Sequence, residues 1–187
     1  MKEIRLHGRG GQGVVLSAKI LASAAIEEEK CAQAFPSFGP ERRGAPVVAY
    51  CRISEDPIIT REPILNPDVI VVHDPLLLRS VQVGRGLKNG GTIILNSCFP
   101  PEEASSRYGF TDCILVTVDA NEISLRVIGA AITNMAMLGA LLKAVPLVGL
   151  ETLEEQIRRF LGRIADKNIA ALEEAYQQAR VAEIVAT

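Results

Sequence analysis

The sequence predicts an α/β fold: one domain over residues 1–187, with a mostly parallel open sheet flanked by helices, an antiparallel hairpin and a helical C-terminal third. Three observations predict it. Short Val/Ile-rich runs alternate with helical patterns along the chain. Aromatic residues make up only 4% and Trp is absent, while Ala, Val, Leu and Ile are abundant, which suits parallel strands covered by helices on both faces. The chain opens as strand, glycine turn, helix.

Ile4 and Leu6 mark the first strand, and the segment after Gly13 carries Ala, Leu, Ile and Lys at helical spacing. Cys31–Phe35 is the second strand. Val47–Ile53 is the third, and Arg52 marks it as half-exposed. Ser54-Glu55-Asp56-Pro57 is a turn from which Ile58-Ile59 is expected to pair back as a hairpin. Asp68–Val72 is a buried strand. Asp74-Pro75 then reads as an N-cap followed by Pro at the first helical position. Asn89-Gly90-Gly91 turns into the strand Thr92–Leu95, and Ile114–Val118 is a further strand. Asn134–Val145 is apolar on nearly all sides, the pattern of a buried helix. Leu153, Ile157, Phe160 and Ile164 form one amphipathic face, and Ile169, Leu172, Ala175, Tyr176 and Ala179 another.

Composition excludes several function classes. A net charge of −2 gives no electrostatic footprint for nucleic acid or an anionic membrane. No signal peptide opens the chain and no apolar run reaches membrane length, so the cytoplasm is the expected location. Cys31, Cys51, Cys98 and Cys113 are scattered without a C-x-x-C, which excludes an iron–sulfur cluster or structural zinc held by this chain alone. Each is expected to be a buried free thiol.

Residues 7–13 read His-Gly-Arg-Gly-Gly-Gln-Gly, and Gly8, Gly10 and Gly13 fit G-x-G-x-x-G in the right context for a phosphate-binding turn. Glycines let backbone N–H groups approach an anion, and the helix N-terminus adds partial positive charge. Gly8, Gly10, Gly11, Gln12 and Gly13 are therefore candidate ligand contacts. A dinucleotide site also needs a carboxylate ending the second strand, about 20 residues on. That strand ends Phe35-Pro36-Ser37, and Glu27, Glu28 and Glu29 come too early and are expected in solvent, so NAD is disfavoured. The plain alternative is a tight strand–helix turn.

Residues 35–46 hold three prolines and two glycines around Glu41, Arg42 and Arg43. Arg42 and Arg43 are candidates for bidentate contact with a phosphate, a carboxylate or a partner chain; a solvated surface turn is the plain alternative. His7 and His73 end strands that face a ligand crevice, but satisfying local hydrogen bonds is the commoner role. Asn134 is expected to form a structural cap with Thr133.

These motifs, in order, resemble the gamma subunit of 2-oxoacid:ferredoxin oxidoreductases. Gly8–Val15 and Gln33–Pro46 carry the resemblance, with Arg52-Ile53-Ser54 plus Pro57-Ile58, Asn66–Val69, Val118-Asp119-Ala120 and Ile132–Ala140. It runs from about Ile4 to Leu141, and the remainder matches in helical character only. Gly129-Ala130-Ala131 stands where the family usually has a proline, which bears on the local turn. Glu41-Arg42-Arg43-Gly44-Ala45-Pro46 looks most like the pyruvate members.

The resemblance implies a subunit supporting coenzyme A-dependent oxidative decarboxylation of a 2-oxoacid, with no catalytic residue of its own and no activity alone. It implies thiamine diphosphate and iron–sulfur clusters in partner subunits (alpha, beta and a delta chain), electrons leaving to ferredoxin, and coenzyme A contacted by this chain. It is similar to the smaller central domain of fused single-chain enzymes. Two alternatives stand beside it: a free-standing nucleotide-binding α/β oxidoreductase, and a purely structural assembly subunit.

Overall fold

The computed structural model describes residues 1–37 and 44–185. Seven strands form one sheet in the order β2-β3-β1-β4-β5-β6-β7. They are β1 (Lys2–Arg9), β2 (Cys31–Pro36), β3 (Pro46–Ser54), β4 (Val69–Val72), β5 (Thr92–Asn96), β6 (Cys113–Val118) and β7 (Arg180–Ile184). The helices are α1 (Val14–Glu27), α2 (Pro101–Tyr108), α3 (Ala120–Val127), α4 (Asn134–Ala144), α5 (Leu150–Leu161) and α6 (Ala165–Gln178). This is the expected open α/β sheet with a helical C-terminal part. Its centre, β1-β4-β5-β6, is parallel. The flanks are antiparallel, with β1 pairing β3, β3 pairing β2 and β6 pairing β7.

Three local expectations are corrected. Ile58-Ile59 forms no strand. The hairpin is instead β2–β3, because Pro57 and Pro63 cannot donate to a ladder. Residues 180–184 leave the C-terminal helix and form β7, an edge strand on which only Ala182 and Ile184 are partly buried. Arg52 is buried, not half-exposed. Its Nε donates to Glu3 Oε1 at 2.9 Å, and its guanidinium lies over the Phe35 ring.

Alternation assigns the two sheet faces. Ile4 and Leu6 of β1, Cys51 and Ile53 of β3, and Val69 and Val71 of β4 face the main core, which α1, α4, α5 and α6 complete. Helix α4 is buried on nearly all sides, as expected. Gly139 lets it meet α6, since a Cβ there would overlap the carbonyl of Leu172. On α5, Leu153 and Ile157 are buried and Phe160 is exposed; the helix ends at Leu161, so Ile164 falls in the following 3-10 turn, where it is exposed as well. Of the glutamates ending α1, Glu27 and Glu29 are exposed, as expected, and Glu28 is half-buried. Glu27 pairs with Arg159, and Glu28 accepts from the amide of Gly149 and pairs with Lys30.

The opposite face is built differently. A smaller apolar cluster lies under α2 and the 3-10 turn Pro75–Arg79. Asp74 caps that turn by accepting from Leu76 N at 2.9 Å, as its sequence predicts. Over β1 and β3 no helix among the described residues covers this face. Residues 57–66 cross it as an irregular strap.

Candidate functional site

Strand β1 departs through α1 toward one edge of the sheet, while its other neighbour, β4, begins the run toward the opposite edge. The carboxyl ends of β1 and β4 therefore flank the topological switch point, where open α/β sheets bind ligands. The glycine turn sits there. Gly8 is required for close packing, because a Cβ would overlap Val14 and come within 3.2 Å of the His73 Cβ. Gly11 has φ 97° with open space beyond it. Gly13 caps α1 at φ 75° and faces the Asn134 side chain, which occupies the place of its missing Cβ. Among the described residues no side chain caps α1, and no acidic residue lies in its first turn, so its N-terminal amides carry the unneutralised positive end of the helix dipole.

The two polar side chains of the turn are committed to holding it. Gln12 Oε1 accepts from the amide of Arg9 at 2.7 Å. Arg9 Nε pairs with Asp74, and its Nη1 reaches the carbonyl of Gly44 at 3.2 Å. Two backbone bonds complete the connection: Gly10 N donates to Ala45 O at 3.0 Å, and Gly44 N to Gly10 O at 3.2 Å. The base of the proline- and arginine-containing loop is thus fastened to the glycine turn. Arg42 and Arg43 themselves lie outside the described residues.

The histidines differ in their partners. Arg5 Nε donates to His7 Nε2 at 3.0 Å, which places the proton of the neutral ring on Nδ1. Burial, then the Arg5 guanidinium and His73, push His7 down to about 3. His73 is 1% exposed, neither ring nitrogen has a partner among the described residues, and burial pushes it down to about 4. The hydrogen bonds expected to explain it are therefore made only by its backbone: its N–H donates to His7 O at 2.8 Å, and its carbonyl accepts from Asn96 Nδ2 at 2.8 Å. Both imidazoles are neutral at pH 7.

Asn134 is buried and bonded, but not as a cap with Thr133. Its Oδ1 accepts from Met135 N, while Thr133 Oγ1 is buried without a partner. Cys51 and Cys113 are buried free thiols, with Cys51 pushed up to about 12 by burial. Cys31 is half-buried and Cys98 exposed, against expectation, because Cys98 follows β5 into the loop at its end. Among the described residues no three His, Cys, Asp or Glu side chains come together as a metal site, and no helix is long and apolar enough to cross a membrane. Sequence reasoning missed Arg5 and Asp74 as organisers. Only the Asp-Pro cap signal pointed to Asp74.

The geometry also disposes of a dinucleotide site. In such a site the second strand runs parallel beside the first. Here β1 is flanked on that side by antiparallel β3, and β2 lies one strand further out.

Fold and turn define an α/β module with a glycine turn at its switch point, without the ribose-binding half of a dinucleotide site. The family of pyruvate ferredoxin/flavodoxin oxidoreductases matches residues 3–178, further than the motifs alone reach. The pyruvate/ketoisovalerate oxidoreductases common subunit gamma of Thermococcus kodakarensis is 50% identical, over 98% of this chain and 100% of its own length. The crystal structure of pyruvate oxidoreductase subunit PORC from Thermotoga maritima superimposes with a TM-score of 0.86 at 38% identity, covering 97% of this chain and 98% of that one. A 2-oxoglutarate:ferredoxin oxidoreductase from Magnetococcus marinus, solved with 2-oxoglutarate, coenzyme A and succinyl-CoA bound, shares the fold alone. Its TM-score is 0.76 at 18% identity, over 98% of this chain and 33% of its own. The chain belongs to the pyruvate ferredoxin/flavodoxin oxidoreductase family, as a gamma subunit of a multi-subunit 2-oxoacid oxidoreductase.

Proposed function

We propose that this subunit serves the oxidative decarboxylation of pyruvate in the cytoplasm by helping to hold coenzyme A, while alpha, beta and delta partners carry thiamine diphosphate and the iron–sulfur clusters and pass electrons to ferredoxin. Thiamine diphosphate supplies the electron sink for loss of carbon dioxide. This chain contributes binding. A phosphate of coenzyme A lies against Gly10, Gly11, Gln12 and Gly13 at the start of α1, with Arg42 and Arg43 closing on it from the loop. The observation that carries this reading is the fastening of that loop's base to the glycine turn, through Gly10, Ala45, Gly44 and Arg9. The uncapped, acid-free first turn of α1 supports it. The substrate acid is selected elsewhere: the Thermococcus relative is named as common to pyruvate and ketoisovalerate enzymes, so a chain of this type serves more than one acid.

A second reading, a purely assembling subunit, is favoured by one observation. Gly8 and Gly13 are needed for packing, and Arg9 and Gln12 are spent on structure. Coenzyme A kinetics of the assembled enzyme separate the two. Arg42→Ala and Arg43→Ala should each raise the KM for coenzyme A on the order of tenfold or more, as for a lost charged hydrogen bond. Arg43→Lys should recover little if the contact is bidentate. Unchanged KM in both alanine variants would return the loop to protein–protein contact. The chain alone should not oxidise pyruvate.

A further inference from the structure

Residues 57–66 have no regular structure, yet their backbone is held at three points by polar side chains from three strands. Gln33 Nε2 of β2 donates to the carbonyl of Thr60 at 2.7 Å. Arg52 Nη2 of β3 donates to that of Glu62 at 2.7 Å. Arg5 Nη1 of β1 reaches the carbonyls of Ile64 and Leu65, each at 3.4 Å, and its Nη2 gathers those of Val83 and Arg85 at 2.8 and 2.6 Å. Arg5 and Arg52 are 9% and 2% exposed. Two guanidinium groups have thus been taken out of water to fix an irregular segment.

What the segment then presents is apolar. Ile59 is 94% exposed and Leu65 73%. Beside Ile59, a cleft of about 440 Å³ opens between the strap and the end of α1, lined by Ile26, Pro57, Ile58, Lys30 and Arg61 and by no carboxylate. Lys30 is neutralised by Glu28, while Arg61 is exposed. Ile59, beside the cleft, is apolar surface that a partner could remove from water. A backbone pinned beforehand loses little entropy on being met.

We propose that the strap is a preorganised docking surface for a partner subunit of the same oxidoreductase complex, one that seats an aliphatic side chain in the cleft and sets a carboxylate against Arg61. The partner supplies the layer that helices supply on the other face of the sheet. Its acidic character follows from Arg61, an exposed cation in a cleft with no carboxylate among its described lining residues.

The test uses the complete complex, with this chain tagged and its partner subunits co-expressed. Ile59→Asp and Arg61→Glu should each weaken association at least tenfold, read as partner subunits lost from the complex on size exclusion and by native mass spectrometry. Ile164→Asp, at a position 62% exposed on the helical side, should leave composition unchanged. Residues 57–66 should gain amide protection on assembly of the unsubstituted complex, a readout independent of any variant. Full assembly with both strap variants, equal loss with Ile164→Asp, or no gain of protection would each overturn the proposal. So would protection of 57–66 in the isolated chain through self-association, which would assign the face to a second copy.

Discussion

The two faces of the sheet are stabilised by opposite means. On one, β1, β3 and β4 bury Leu6, Cys51 and Val71 against four helices, and nearly every contact is aliphatic. On the other, β1 and β3 turn Arg5, His7 and Arg52 inward; the two guanidinium groups hold loops by donating to carbonyls, and His7 accepts from Arg5 Nε. Apolar burial is non-directional and tolerates some repacking. A guanidinium fork on named carbonyls is directional, and costs a buried charge if broken. The first face gives the molecule its stability. The second gives fixed positions to segments that would otherwise wander, and those segments are where partners and ligands are expected.

The largest effect should come from the apolar face. Leu141→Ala on α4 should lower unfolding free energy by about 2–5 kcal/mol in a urea titration, as for cavities in a packed core. A loss below 1 kcal/mol would mean that the helical face is not where stability resides. Next comes Arg5→Met, which strips four carbonyls and His7 of a donor and should cost about 1–3 kcal/mol. Its signature is local: amides of 57–66 and 83–85 should exchange faster while those of α4 keep their protection. Uniform acceleration would contradict the division between faces.

The third prediction uses pH. His7 and His73 titrate at about 3 and about 4 in the folded chain, against 6.5 when unfolded. Above 6.5 neither state binds the proton, and these groups give no pH dependence. As pH falls below 6.5, the unfolded chain takes up protons the folded one refuses, so stability falls. The urea midpoint should drop between pH 6.5 and 5, before carboxylates contribute. His73→Gln should flatten that slope, and an unchanged slope would count against the buried neutral imidazole. The smallest effect is expected at the exposed helical pair Arg107–Glu103, where Glu103→Gln should change stability by only about 0.2–0.5 kcal/mol. Anything larger would mean that the surface contributes more than this comparison allows.

The same division explains what was legible in the sequence. Asp68–Val72 and Thr92–Leu95 read directly as strands, each within one residue of the observed β4 and β5, because burial on both faces demands unbroken aliphatic runs. The glycine turn was legible because strand, turn and helix are adjacent in the chain. Arg5 and Arg52 were not, since a charged residue within an apolar alternation reads as facing water unless its distant carbonyl partners are known. Neither was the strap, whose order comes from β1, β2 and β3 rather than from its own residues. The contact of Gly13 with Asn134 was invisible for a related reason: the glycine looks like a turn residue whether or not a side chain later fills the space beside it.

That contact also sets a timetable. The first helix is completed only by late arrivals: Ser17 Oγ donates to the carbonyl of Asn134, 117 residues on, and Glu27 waits for Arg159, 132 residues on. At a synthesis rate of about 5–20 residues per second, the start of the chain leaves the ribosome on the order of 10 s before its packing partners exist. During that interval α1 can be covered only on its sheet side, by β1, β2 and β3, while the side that α4 and α5 later pack against has no partner. Such long-range closure makes for slow folding. Fragments ending before residue 134 should therefore leave the α4- and α5-facing side of α1 uncovered and aggregate more readily than the whole chain.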